Sequence, residues 1–435
     1  MSTVIGVILL LTYIAFAIYA AKGGNLMLGF FIMAVLWAGL GAIAGVTNWN
    51  GDAEGLININ KGIFQQGPEL WGTTAVIIIF GSWFGRVLVE TGIARTIIRK
   101  AVELGGDRPS ITCILLCVVT SLIFTSAYGA GAVVAIGVIV FPIMLSLGIP
   151  KPLATASFLM SVGAGMYFNM GWFKQVAALI EFDYSTTYQI FAAIAFGLQM
   201  LATIVMIVLS MRKNKVHAWA AQAADTGGEG KNVNFLAMIT PLLPVALAIF
   251  AKFEPITAII ASVLWALLFT GNLKSWSKLG SLVQKTFYDG VADVGLVFAF
   301  LFFLQMFLRA AKVCAPLLAP IVAPIMPTNL FWLFVVFGVL GVFGLFRGPL
   351  TVWGAGAATL AMFQSLGTIP NAVLFPLFLV PTTSVNGSIC PTQSWCLWAI
   401  GYTKSSVKDY LRQVLAYALI VTFVLEIIAY FIFAR

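Results

Sequence analysis

Charge is scarce in this 435-residue sequence, where Asp, Glu, Lys and Arg make up 9% of the chain against 61% hydrophobic residues. An average soluble chain carries about 25% charged residues, so a set of water-facing domains is excluded. Histidine is scarcer still. The single one, His217, lies in a polar stretch, which rules out a histidine proton relay, a His-dependent triad or an HExxH-type zinc site in the apolar segments. Cysteine is limited to Cys113, Cys117, Cys314, Cys390 and Cys396, odd in number and set in apolar surroundings. They fit neither a disulfide framework nor a zinc site, and read as small apolar fillers, so no metal or cofactor is implied. Short alternating strands are missing too, which excludes a membrane barrel. The first apolar run, Thr3 to Ala21, lacks the basic flank of a cleavable signal and reads as a retained helix.

What is there is a series of apolar runs, each long enough to cross a hydrocarbon core of about 30 Å as a helix. The chain is therefore expected to be an all-α polytopic membrane protein. Seven runs precede a hydrophilic stretch at Arg212 to Asn234 and seven follow it, giving a first repeat at 1–211, a cytoplasmic linker at 212–235 and a second repeat at 236–435. An odd number of segments per half makes the second repeat inverted. Loop charges agree: Arg95, Arg99, Lys100 and Arg108, then Lys274, Lys278 and Lys285, then Lys404, Lys408 and Arg412 mark cytoplasmic loops. The Pro-rich stretch from Ala315 to Pro327 and the loop around Glu181 and Asp183 fall on the other side, and both termini are expected outside. The net charge of +9 is scattered through short loops rather than gathered in a patch, so no nucleic-acid partner is implied.

The repeat is written most plainly in Ser126-Ala-Tyr-Gly-Ala-Gly-Ala132 and Thr351-Val-Trp-Gly-Ala-Gly-Ala357, offset by 225 positions (351 − 126). A second pair, Ser161-Val-Gly-Ala-Gly-Met-Tyr-Phe-Asn-Met-Gly-Trp172 and Ser384-Val-Asn-Gly-Ser-Ile-Cys-Pro-Thr-Gln-Ser-Trp395, aligns its Ser, Val and Trp at 223 (384 − 161). Glycine-rich, polar breaks recurring twice per half are the signature of a duplicated transporter.

Irregular backbone survives at membrane depth only where protein or a water-lined site satisfies it. Each Gly-Ala-Gly-Ala element thus reads as the tip of a re-entrant hairpin or broken helix pair. One tip offers Ser126, Tyr128, Gly129 and Gly131, the other Thr351, Trp353, Gly354 and Gly356. Freed amides at a half-helix N-terminus suit a carboxylate. The downstream breaks add Ser161, Gly163, Gly165 and Asn169 from one half, and Ser384, Asn386, Ser388, Thr392 and Gln393 from the other, with Pro391 interrupting its helix.

Charges inside the apolar runs are costly and usually face a cavity. Arg347, just before the second tip, is the candidate carboxylate clamp, because its planar fork binds two oxygens; the alternative is an interfacial anchor. Lys174 is open to the same two readings. Glu426, deep in the last run, is a candidate carrier of a coupled proton, and Glu90 and Asp293 are weaker coupling candidates. Arg86 and Glu90 are spaced for an i,i+4 pair. Trp37, Trp49, Trp71 and Trp332 read as interface markers.

The run Phe80-Gly-Ser-Trp-Phe-Gly-Arg-Val-Leu-Val-Glu-Thr-Gly92, the two tips and the two breaks together resemble the ion transporter superfamily. Within it, the chain looks like the gluconate:proton symporter family, with the citrate:proton symporters as relatives. That resemblance implies a scaffold domain and a transport domain that moves as an elevator, often in a homodimer, with substrate held between tips and breaks. The expected function is uptake of a small organic anion with H+, or with Na+, across a prokaryotic inner membrane. The rival is a cation/proton antiporter or oxyanion exporter of the same fold.

Overall fold

The computed structural model describes residues 2–49, 57–106, 108–214, 233–325 and 329–435. The sequence-predicted linker falls largely outside them, as does His217. In the first half, ten helices follow in order: α1 (Ser2–Ala21), α2 (Leu26–Ile43), short α3 (Gln66–Glu69), α4 (Gly72–Glu90), α5 (Ile93–Gly105), α6 (Pro109–Phe124), α7 (Ala130–Ser146), α8 (Lys151–Met166), α9 (Met170–Ile180) and α10 (Thr186–Asn214). The second half supplies α11 (Phe235–Met238), α12 (Leu243–Phe250), α13 (Pro255–Phe269), α14 (Trp276–Val322), α15 (Leu330–Val339), α16 (Gly356–Leu366), α17 (Asn371–Val380), α18 (Ser394–Thr403) and α19 (Val407–Ala429). A parallel pairing of Thr47–Asn48 with Ile57–Asn58 is the sole strand contact among the described residues.

Among the described residues, six helices are long and apolar enough to span a membrane, and a seventh span forms if α15 is joined to the turn after it across a 58° bend. That is fewer than the seven per half expected from apolar runs. The difference lies in the discontinuous segments. Helices α6 and α7 have 16 and 17 residues, or about 25 Å of rise each, less than the hydrocarbon thickness. They form two arms around a tip, as α15 and α16 do in the second half.

Two helical bundles pack together. In one, α14 lies along α1, α2 and α4, with α13 also against α4; in the other, α8 is surrounded by α6, α10, α18 and α19. Helix α8 explains its own position. Every residue from Leu153 to Met166 is buried, and a helix without a polar face belongs in the middle of a bundle.

Three expectations are corrected. Helix α14 runs unbroken for 47 residues and contains Pro316 and Pro320, so the Pro-rich stretch begins as helix rather than loop. Arg86 and Glu90 do not pair with each other: Arg86 reaches Asp293 at 2.6 Å, and Lys285 takes Glu90 at 2.9 Å, because α4 lies beside α14. Trp37 and Trp71 are fully buried, while Trp49 and Trp332 are exposed. The Trp37 ring packs on Phe307 and its N–H donates to Thr12, so it belongs to the core.

Candidate functional site

A cavity of about 540 Å³ opens where both tips and both breaks converge. Its wall combines Tyr128 from the first tip, Trp172 and Gln175 from α9, Arg347 and Trp353 from the second tip, and the segment Pro391–Trp395. Helix α14 closes one side with Asp293 and Phe300, and Gly23 and Gly24 after α1 form part of the rim.

The first tip is short. Helix α6 ends at Phe124, and five residues later Gly129 turns the chain with φ +98°, a conformation open to glycine and strained for side-chain-bearing residues. Asn169 holds this turn to the neighbouring break. Its amide nitrogen donates to the carbonyls of Phe124 (3.0 Å) and Ala127 (2.9 Å), while its carbonyl oxygen accepts the Trp172 N–H and caps α9. One side chain therefore satisfies the freed groups of two broken helices. Ser126 donates to the Pro241 carbonyl at 2.5 Å, and Tyr128 to Gln175 at 3.1 Å. Gly131, in the first turn of α7, lies directly under the Asp293 carboxylate.

The second tip is longer and more contorted. Phe346 and Arg347 both adopt left-handed backbone, φ 51° and 60°, which non-glycine residues hold only where the surroundings impose it. The loop is tied by the Ala355 N–H to the Arg347 carbonyl at 2.9 Å and by Gly356 to Gly348 at 3.2 Å. Gly354 and Gly356 pack on the backbone of Arg347 and Thr351, and Thr351 itself is buried. The downstream break begins as a π-helical stretch over Pro381–Gly387, stays helical to Ile389 and then runs without helix from Cys390 to Gln393, after which α18 begins.

The two charges on the cavity wall are in opposite situations. Asp293 is held bidentately by Arg86, with both contacts at 2.6 Å. Arg347 donates to the Trp353 carbonyl (3.1 Å) and the Gln393 amide oxygen (2.7 Å), and its guanidinium lies 5.6 Å from the Phe300 ring centre. None of the ion pairs among the described residues includes Arg347. It is a cation in a cavity with neutral partners.

Of the residues singled out in the sequence, Tyr128, Arg347, Trp353, Thr392, Gln393 and Asp293 meet at the cavity. Ser161, Gly163, Gly165, Ser384, Asn386 and Ser388 lie instead in the packed interior between α8 and the second break. There Gly163 abuts the Ser388 hydroxyl, Gly165 abuts the Ser121 carbonyl, and Ser384 bonds to Thr422 at 2.7 Å. Lys174 is half-buried on α9 outside the cavity wall, and Glu90 sits at the α4–Lys285 contact. Glu426 is fully buried on α19, and neither carboxylate oxygen has a hydrogen-bond partner. Among the described residues, no group of three or more His, Cys, Asp or Glu is placed to hold a metal.

Sequence reasoning assigned no role to Trp172, Gln175, Trp395 or Phe300. The two tryptophans were legible as aligned repeat positions, and Gln175 follows Trp172 by three residues, on the same face of α9. Phe300 carries no such signal among 35 phenylalanines.

No family model and no curated protein matches the chain. Among solved structures, the crystal structure of the YdaH transporter from Alcanivorax borkumensis, described as having an unusual topology, is similar in fold. The TM-score is 0.57 at 14% identity, over 93% of this chain and 97% of that one. The likeness extends over nearly the whole length. It is one of fold alone, and it gives no support to the narrower resemblance to gluconate or citrate symporters.

Proposed function

We propose that the protein is a secondary active transporter that binds a small organic anion between its two tips and two breaks, with Arg347 as the clamp. The observation that carries this reading is the guanidinium in the cavity with no carboxylate beside it. A cation drawn partly out of water is costly to leave without a counter-charge, and a site that does so suits an anionic ligand. The guanidinium offers further N–H groups in a planar fork, the geometry a carboxylate matches.

The recurring order of arm, tip, arm and broken helix fits an inverted repeat and alternating access. In this reading the bundle holding α8 carries the anion past the bundle built on α14, in an inner membrane and within a homodimer. Glu426 is the proposed proton carrier. A carboxylate at membrane depth with no partner is rare and marks a functional position, and Glu426 stands one turn from Thr422, which itself bonds Ser384 of the second break.

Reconstituted protein tests the reading. Counterflow of labelled carboxylates into liposomes should be abolished by Arg347→Gln, with substrate binding weakened at least about tenfold, the loss expected when charged hydrogen bonds to the ligand are removed. Glu426→Gln should keep binding but lose the response of uptake to an imposed proton gradient. Unchanged affinity in Arg347→Gln removes the clamp. A sodium or oxyanion flux independent of any organic acid would instead favour the antiporter or exporter reading.

A further inference from the structure

Away from the cavity, a cluster of polar groups lies in the interior of the α8 bundle. Tyr167 caps the end of α8 at the first break, Ser384 lies in the π-helical stretch of the second, and Thr422 and Glu426 stand one turn apart on α19. All four are fully buried. Their elements meet, since α8 and α19 pack on that stretch and on each other. Helical side chains lean toward the N-terminus, which brings the Glu426 carboxylate back toward Thr422.

The hydrogen bonds of this cluster do not close. The Ser384 and Thr422 hydroxyls are 2.7 Å apart, yet each also reaches a backbone carbonyl one turn back, Val380 at 2.7 Å and Ala418 at 2.8 Å. Two hydroxyl protons thus face three contacts, and the pair has more than one arrangement. At its two ends stand an unused donor and an unused acceptor. The Tyr167 hydroxyl, beside Ser384 and within electrostatic range of Glu426, makes no hydrogen bond, and neither Glu426 oxygen receives one. Tyr167 is fixed by other contacts: its carbonyl accepts the Tyr188 hydroxyl at 2.6 Å, and its ring lies 6.5 Å from Phe191. Around Glu426, Gly338 of α15 covers the stem, and Tyr430, one turn on, packs against Phe331 and Phe334. Charges on the elements packed against α19 are at their ends: Lys151 opens α8, Arg212 and Lys213 end α10, Arg347 ends the turn after α15, and Arg435 ends the chain. On α19 itself, Lys408, Asp409 and Arg412 lie in the first two turns.

We infer that Tyr167 is a positioning residue for Glu426: with Ser384 and Thr422 it forms a chain of hydroxyls that turns toward the carboxylate when the proton leaves and away when it returns. The inference rests on the reading of Glu426 as proton carrier. An ionised carboxylate only accepts hydrogen bonds, and it gains most from O–H donors, which this chain holds in reserve. The chain also joins both breaks. Tyr167 is two residues from Asn169, which ties down the first tip, and Thr383, next to Ser384, accepts the Trp172 N–H of the cavity wall at 2.8 Å. Proton occupancy at Glu426 is thereby felt by the segments that frame the anion cavity.

Infrared difference spectroscopy of the full-length protein in lipid vesicles tests this with no substrate added. The carbonyl stretch of protonated carboxyl groups, followed between about pH 4 and about pH 10, should contain a titrating component that is missing in Glu426→Gln. Tyr167→Phe should move the midpoint of that component to higher pH by about one unit, because a donor to the ionised form is removed, and Ser384→Ala should move it the same way. Tyr410→Phe is the control. It removes another buried tyrosine hydroxyl, bonded to the Ile389 carbonyl toward the opposite end of α19, and should leave the midpoint within about 0.3 unit. A Glu426 component with the same midpoint in Tyr167→Phe as in the parent protein, or an equal shift in Tyr410→Phe, overturns the hydroxyl chain and leaves the carrier standing. No titrating component specific to Glu426 in that range overturns both.

Discussion

The two copies of the tip-and-break unit share an order of elements and divide the work. In the first copy, polar side chains are spent on the fold: Asn169 joins two broken helices, and Ser126 fastens the tip to Pro241. In the second, Ser384 and Ser388 are likewise bonded within the fold, to Thr422 and to the Thr383 carbonyl, but two groups stand apart. Arg347 stands in the cavity without an acid, and the Asn386 amide oxygen is buried with no donor. At the aligned spacing of 223 (384 − 161), Gly163 and Gly165 of one copy correspond to Asn386 and Ser388 of the other, and Asn169 to Thr392. Gly163 then receives the Ser388 hydroxyl across the interface. One copy supplies frame and space, and its counterpart fills them.

The largest effect should come from breaking the frame. Asn169→Leu removes donors from two carbonyls and the cap of α9, each carbonyl left buried costing about 1–3 kcal/mol and the cap about 1 kcal/mol. Thermal unfolding in detergent should therefore show a loss of about 3 kcal/mol or more. The aligned change Thr392→Val removes one contact to a sulfur and should cost about 1 kcal/mol or less. Equal losses would erase the distinction between the copies.

Filling the space comes second. In Gly163→Ala the new methyl would overlap the Ser388 hydroxyl and crowd the Gln199 amide, an overpacking worth about 1–3 kcal/mol. In a Ser388→Gly background the same substitution should cost measurably less, by about 0.5 kcal/mol or more, because the two residues share one volume. Strict additivity in that cycle would show that Gly163 matters for a reason other than making room for its counterpart.

The sequence carried the architecture further than the chemistry. Composition and the missing alternating strands indicated the all-α membrane class, and the repeated glycine breaks located both tips, since irregular backbone inside lipid needs protein or a water-lined site to satisfy it. Span counting went astray where apolar length and helix length part company, in the short arms α6 and α7 and the continuous α14. Arg347 was legible as a lone charge beside a tip. The Arg86–Asp293 pair was not, because the residues are more than 200 positions apart and an i,i+4 alternative for Arg86 was written beside it. Ser161, Gly163 and Gly165 were read as ligand groups, while their surroundings show the same small side chains serving close helix packing, a use that sequence spacing alone does not separate from binding.

The smallest effect, and the finest test, belongs to Ser126. Its hydroxyl ties the first tip to the Pro241 carbonyl, and Thr125 stands by as a second, longer donor at 3.4 Å to the same oxygen. Ser126→Ala should thus cost about 1 kcal/mol of stability or less, because the carbonyl keeps a partner. If the first tip is frame, anion affinity should stay within about twofold of the parent protein, a change of under about 0.5 kcal/mol, while Arg347→Gln in the same titration loses binding. The transport rate is a separate readout. Pro241 belongs to the short turn leading into α12, beside α13 of the α14 bundle, whereas Ser126 belongs to the other, so a bundle that slides must break this hydrogen bond in each cycle. A variant that binds normally but turns over at a different rate would place the first tip on the sliding boundary. Weakened binding would place it in the site, and the two copies would then share the chemistry after all.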